Sequence, residues 1–148
     1  MADLFVAAQV ENLAEIRRFV LEEAAALGAR EETICDLELA VDEAACNIIC
    51  HGYERRGGTI QVEVERDGDR LVVRLRDEAS LFDPTRHPLP DVTLSLEERP
   101  LGGLGIFLIR QAVDEMVYRV TAEGGNELTL IKRLEGSGSG KRRCNSAE

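Results

Sequence analysis

No stretch of this chain approaches the roughly 18 consecutive apolar residues that a membrane-crossing helix needs, which excludes a helical membrane span. The opening residues, Met-Ala-Asp-Leu-Phe-Val, place no basic segment ahead of an apolar one. A secretory signal is therefore not expected, and the chain reads as soluble and cytoplasmic. Basic residues are in deficit: 18 Lys and Arg stand against 28 Asp and Glu, a net charge of −10. Non-specific nucleic-acid binding depends on neutralising phosphates with cations, so no direct nucleic-acid partner is expected, whereas a basic protein surface remains compatible. Metal-ligating side chains are sparse, with two His and four Cys. Their one local group is Cys46, Cys50 and His51. A zinc site takes about four ligands and no second cluster exists. The pair reads either as a metal or redox site or as small thiols filling space on a buried helix.

What is present is an ordinary single-domain balance: 148 residues, 44% hydrophobic and 31% charged. Leu4 to Val10 reads as a first strand. Asn12 and Glu15 have the spacing of a helix cap and its partner, and Leu13, Ile16, Val20 and Leu27 mark an amphipathic helix ending at Gly28. A second helix is expected from Glu31 to His51, with Gly52 as its stop and Leu37, Val41, Ala44 and Ile48 as its core stripe. Alternating Ile60, Val62, Val64 and Leu71, Val73, Leu75 flank Asp67-Gly68 as a hairpin. All four prolines (84, 88, 90 and 100) fall in the aperiodic stretch 78–101, a loop long enough to be functional or mobile. A third helix is expected from Gly103 to Glu115, then a hairpin of Met116–Thr121 and Asn126–Arg133. The order β-α-α-β-β-loop-α-β-β predicts an α+β, two-layer α/β sandwich with a mostly antiparallel sheet and three helices on one face. No internal repeat is visible. Residues 1–134 are expected to form the domain, and the Gly-Ser-rich residues 135–148 a disordered tail.

Three segments carry candidate chemistry. Glu43 and Asn47 lie four apart on the second helix, and so stack on one side of it. The pair reads either as a solvated polar face or as a site that holds a hydrated metal ion and orients a nucleophile. Asn is a poor helix-interior residue, and here it is embedded in Ala-Ala-Cys-Asn-Ile-Ile-Cys, where an amide needs partners. Asp77 ends a strand, where it serves either as a turn residue or as an acceptor for a base amino group. Gly102-Gly103-Leu104-Gly105 opens the third helix. Glycines and free N–H groups at a helix start suit phosphate, and no Gly-Lys-Ser/Thr follows to make it a P-loop.

Taken together and in this order, the segments resemble the GHKL or Bergerat-fold ATPases, and within them the small anti-sigma-factor serine kinases. Glu-Ala-Ala-Cys-Asn-Ile-Ile-Cys-His-Gly-Tyr (43–53) is similar to that family's N box, Arg76-Asp77-Glu78-Ala79 through Phe82-Asp83-Pro84 to its first glycine box, and Gly102 to Ile109 to its second. The resemblance covers residues 4 to 134. It implies an ATP-dependent protein serine/threonine kinase and anti-sigma factor that phosphorylates a STAS-type anti-anti-sigma partner and sequesters a sigma factor. The alternative is an ATP-binding regulatory module without phosphoryl transfer. On this resemblance Asn47 coordinates Mg²⁺ on the ATP phosphates, and Glu43 acts as general base or orients the acceptor hydroxyl. Asp77, beside Ala79, binds the adenine amino group. Gly102, Gly103, Leu104 and Gly105 hold the phosphates, and residues 84 to 102 form a lid, with Arg86 or Arg99 as its basic candidate. The family's glycine at position 79 is alanine here. Its frequent Thr after the last glycine is replaced by Asn126, so no adenine contact is carried over there. No histidine-kinase dimerisation helix is seen upstream, as expected of the stand-alone branch. A homodimer is a further family expectation, and Arg17 and Arg18 on the first helix are candidates for a docking surface.

Overall fold

The computed structural model describes residues 1–86 and 103–134. Its strands are β1 (Ala2–Ala7), β2 (Thr59–Asp67), β3 (Arg70–Asp77), β4 (Glu115–Val120) and β5 (Asn126–Arg133). Its helices are α1 (Leu13–Ala26), α2 (Glu31–Asn47) and α3 (Gly103–Ala112). The strands form one sheet in the order β1-β2-β3-β5-β4, every neighbour antiparallel. The α+β sandwich expected from the element order is the architecture observed.

Alternation sets the two faces of the sheet. Ile60, Val62 and Val64 of β2, Leu71, Val73 and Leu75 of β3, and Leu128 and Leu130 of β5 are buried against the helices, where Ile16, Val20, Leu37, Val41 and Ile109 meet them. The other face carries charges in register. Arg76 sits opposite Glu127, Arg119 opposite Glu127 and Arg74 opposite Glu63. Arg76 reaches Glu127 at 2.6 Å and Glu63 at 2.9 Å, so one guanidinium bridges β2 and β5.

The element ends differ from the pattern reading for local reasons. The first strand stops at Ala7, because the Ala8 N–H already bonds the Gly58 carbonyl and the chain then turns through a 3-10 segment, Val10–Asn12. Asn12 does not cap α1. Its amide donates back to the Ala7 carbonyl at 2.8 Å and pins the strand end. Gly28, at φ +94°, ends the first helix as expected. The second helix does not run uniformly to His51: after Asn47 it widens into a π turn, Ile48–Gly52, with Tyr53 N–H bonded to the Ile48 carbonyl. The helical segment ends at Gly52 as expected, and the positive φ angles beyond it fall on Glu54 and Arg55. The core stripe of α2 holds Leu37, Val41 and Ala44 as expected, but Ala40 is also fully buried and Ile49 replaces Ile48 in the core. The third helix ends at Ala112 rather than Glu115. Asp114 there joins the sheet instead, its N–H on the Ile131 carbonyl and its carboxylate accepting from the Arg133 N–H.

Candidate functional site

Asn47 stands at the junction of α2 and the π turn, and Asp77 at the last position of β3. Both line one cavity of about 370 Å³ between α2, α3 and the sheet, a size suited to a small ligand. Its walls are mostly apolar, with Ile48, Ile106, Ile109 and Leu128 facing a few polar groups.

Glu43 is one turn before Asn47 and is joined to it through α3. A Cβ placed on Gly105 would lie 2.9 Å from Glu43 Oε2 and 3.6 Å from Asn47 Oδ1. Gly105 is glycine because α3 begins directly against these two side chains. The space that a methyl would fill is therefore bounded by a carboxylate, an amide and a helix start with free N–H groups. That donor set fits Mg²⁺ held by few protein oxygens and by ligand phosphates. Burial, then Asp42 beside it, pushes the Glu43 carboxyl above the ordinary range. Asp42 is itself held by Arg17 of α1 at 3.0 Å, so this arginine is committed within the fold. Gly103 and Leu104 open α3, whereas Gly102, Arg99 and nearly all of the expected lid lie outside the described residues, as does the tail 135–148. Arg86 is exposed and lies 3.7 Å from Asp83.

Asp77 is 7% exposed. Its Oδ1 accepts from the Ala79 N–H at 2.9 Å and from the Asn126 amide at 2.8 Å. Burial raises its pKa, and these two donors oppose the rise. Ala79 stands where the family pattern has glycine. Its methyl lies over Gly52, whose own Cβ would come within 2.9 Å of it, so the missing side chain at 52 accommodates the extra one at 79. Tyr53 closes the same corner, its hydroxyl donating to the Thr59 carbonyl and accepting from the Glu78 N–H at 2.7 Å.

Asn126 is the residue that the pattern reading left without a role. It is buried, and its Nδ2 donates to Asp77 Oδ1 and reaches the carbonyls of Ala79 and Ser80 at 3.3 and 3.2 Å. Its Oδ1 accepts from the Phe82 N–H and the Tyr118 hydroxyl. The alternation Asn126, Leu128, Leu130 carried the signal, because it puts the amide on the core-facing side of β5. Arg110 was missed as well; it donates to the Pro84 and Thr85 carbonyls and holds the end of the same loop.

The two thiols of α2 and its π turn lie 3.8 Å apart, half-buried. Burial, then the hydrogen bond with Cys50, pushes the Cys46 thiol up to about 11, so it is a thiol at neutral pH. No group of three or more His, Cys, Asp or Glu comes together to hold a metal ion among the described residues.

Residues 6–132 match the histidine kinase-like ATPase domain family. The chain belongs to that family. Within it, the chain is similar to the anti-sigma F factor of Thermoanaerobacter sp. (strain X514), at 30% identity over 142 residues, covering 95% of this chain and 96% of that one. It is also similar to the serine-protein kinase RsbW of Bacillus subtilis (strain 168), at 32% identity over 139 residues, covering 90% and 86%. Among solved structures, the RsbU and RsbW domains of Rv1364c from Mycobacterium tuberculosis match 90% of this chain with a TM-score of 0.60 and 21% identity. This chain spans 33% of that longer one, and the likeness is one of fold. Membership in this ATPase family implies ATP binding. No helix among the described residues is long and apolar enough to cross a membrane.

Proposed function

We propose that this chain is an ATP-dependent protein-serine kinase and anti-sigma factor that works in the cytoplasm. It would phosphorylate a STAS-type anti-anti-sigma partner and sequester a sigma factor when that partner is phosphorylated. The observation that carries this reading is the meeting of Glu43, Asn47 and Gly105 at the start of α3, beside a cavity that also holds Asp77. The names of the relatives, anti-sigma F factor and serine-protein kinase RsbW, support the same activity.

Each residue has a distinct task. Asp77 accepts a hydrogen bond from the adenine amino group, with Ala79 beside it and the apolar walls against the ring. Gly103, Leu104 and Gly105 offer backbone N–H groups to the phosphates, and Gly102 belongs to the same glycine segment. Asn47 would hold Mg²⁺, which when bound would supply charge neutralisation at the phosphates. Glu43 takes the proton from the acceptor serine hydroxyl or orients it, and its raised pKa makes it a stronger base than an exposed carboxylate. Catalysis then rests on positioning and charge. The meeting of Glu43 with Asn47 at Gly105 supports the kinase over a module that only binds ATP.

The test is to incubate the protein with Mg-ATP and a STAS-domain partner and look for phosphoserine by mass spectrometry. Phosphoserine on the partner is the expected result. ATP binding without any transfer would replace this reading with that of a binding module.

A further inference from the structure

Asp77 does not stand alone in the cavity. It is one member of a buried cluster in which each hydrogen-bonding atom of the Asn126 side chain is used. Nδ2 meets Asp77 Oδ1 at 2.8 Å and the carbonyls of Ala79 and Ser80, while Oδ1 receives the Phe82 N–H and the Tyr118 hydroxyl. These partners fix which end of the amide faces Asp77. Two backbone or phenol donors claim the oxygen, so the NH₂ must point at the carboxylate. Asp77 consequently receives donors only on Oδ1, from Ala79 and Asn126, and among the described residues none is found on Oδ2.

We propose that Asn126 is a positioning residue that sets base selection, holding Asp77 as a pure acceptor so that the cavity takes a purine presenting an amino group and rejects one presenting a carbonyl. This deepens the ATP-binding reading and rests on it. The physical logic is one of donor count. Two fixed donors on one oxygen favour the carboxylate against the burial that raises its pKa, and leave the other oxygen to a ligand N–H. Guanine would bring its O6 carbonyl against that oxygen, acceptor against acceptor, beside a side chain that is mostly buried. A carboxylate in place of the amide at 126 would reverse the arrangement. The first proton bridges the two acids at Asp77 Oδ1, and a second, taken up on Oδ2 as the solution is acidified, is the one offered to a ligand carbonyl.

The other titratable groups facing Asp77 are Tyr53 from the end of the π turn, Tyr118 from β4, and the neighbouring Glu78, with Asp83 beyond Tyr118. His51 is the one residue lining the cavity, among those described, that can become cationic. Of these, Tyr118 alone bonds the side chain at 126, and Asn126→Asp keeps an oxygen there to accept its hydroxyl.

The experiment is equilibrium titration of the full chain with ATP and with GTP between about pH 6 and about pH 8, for the wild type, Asn126→Asp and Asn126→Ala, with thermal melts to establish folding. The wild type is expected to prefer ATP by the same factor throughout. In Asn126→Asp the ATP-over-GTP ratio should fall about tenfold at low pH and recover as pH rises. In Asn126→Ala, ATP affinity should fall about tenfold, with a smaller change in the ratio. Folded variants whose ratio and pH profile superimpose on the wild type would overturn the inference and leave the ATP reading intact. If Asn126→Asp does not fold, Asn126→Ala decides by the same comparison. A wild type that binds neither nucleotide would overturn both.

Discussion

The catalytic part proposed for Glu43 falls to a carboxyl whose pKa is raised by burial and by Asp42. A base must be ionised, so transfer should fall as the solution is acidified through this raised value, at a higher pH than an exposed carboxylate would dictate. Asp42→Asn removes one of the two causes and releases Arg17 from its ion pair. Both changes favour the Glu43 anion, so the acid limb of the rate profile should move to lower pH; an unchanged or upward-moving limb would contradict the assignment. At this scale the sequence was informative where chemistry restricts residue type. An Asn in a run of Ala, Cys and Ile marks an amide in need of partners, and Glu43 follows from it by helical spacing. Asn126 was not legible as a partner of Asp77, because the two are 49 residues apart and meet only through the register of β3 with β5.

Two close approaches between elements make sharper tests than any helix or strand propensity. In Gly105→Ala the new methyl would meet the tip of Glu43 at 2.9 Å. The tip of a carboxylate can move, and alanine is the better helix former, by up to about 1 kcal/mol. Stability should therefore hold, while a displaced Glu43 slows phosphoryl transfer by roughly 100-fold; equal losses in melting and activity would contradict this. Gly52→Ala is different in kind, since its methyl would meet the Ala79 Cβ, an atom with no rotamer to escape through. It should cost about 1–3 kcal/mol, and Ala79→Gly in the same chain should recover most of that loss in a denaturation midpoint. Additive losses in the double variant would sink the packing argument. Helix and strand identities were legible from periodicity, and the ends were not. The ends depend on bonds to distant elements, such as Ala8 to Gly58 and Asp114 to Ile131, which no local pattern contains.

Over the whole molecule as described, the sheet face turned away from the helices carries ion pairs beside the buried pair Val72 and Ile131. Glu127, 4% exposed, has its carboxyl pulled below the ordinary value, first by the hydrogen bond from Arg119 and also by Arg76. A depressed folded pKa means stability that is present above the unfolded carboxylate value and lost as pH falls through the folded one. Asp77 works the other way: its raised folded pKa makes the native state bind its proton more tightly, so stability is lost as pH rises through the unfolded value towards the folded one. The difference between the wild type and Glu127→Gln cancels the Asp77 contribution. It should be about 2 kcal/mol at neutral pH and shrink as the solution is acidified; a difference independent of pH would contradict the linkage. The two-layer sandwich itself was legible from element order and the in-facing alternation of β2, β3 and β5. The cavity was not, because it exists only where Gly105 lets α3 approach α2 and where Asn126 closes the far strand onto Asp77. The account as a whole turns on Glu43 acting in transfer rather than in binding. The most direct test is single-turnover phosphorylation of a STAS-domain partner by Glu43→Gln, with ATP affinity measured on the same preparation. The predicted result is wild-type ATP affinity with transfer reduced at least about 100-fold, whereas phosphoserine formed at the wild-type rate would contradict it.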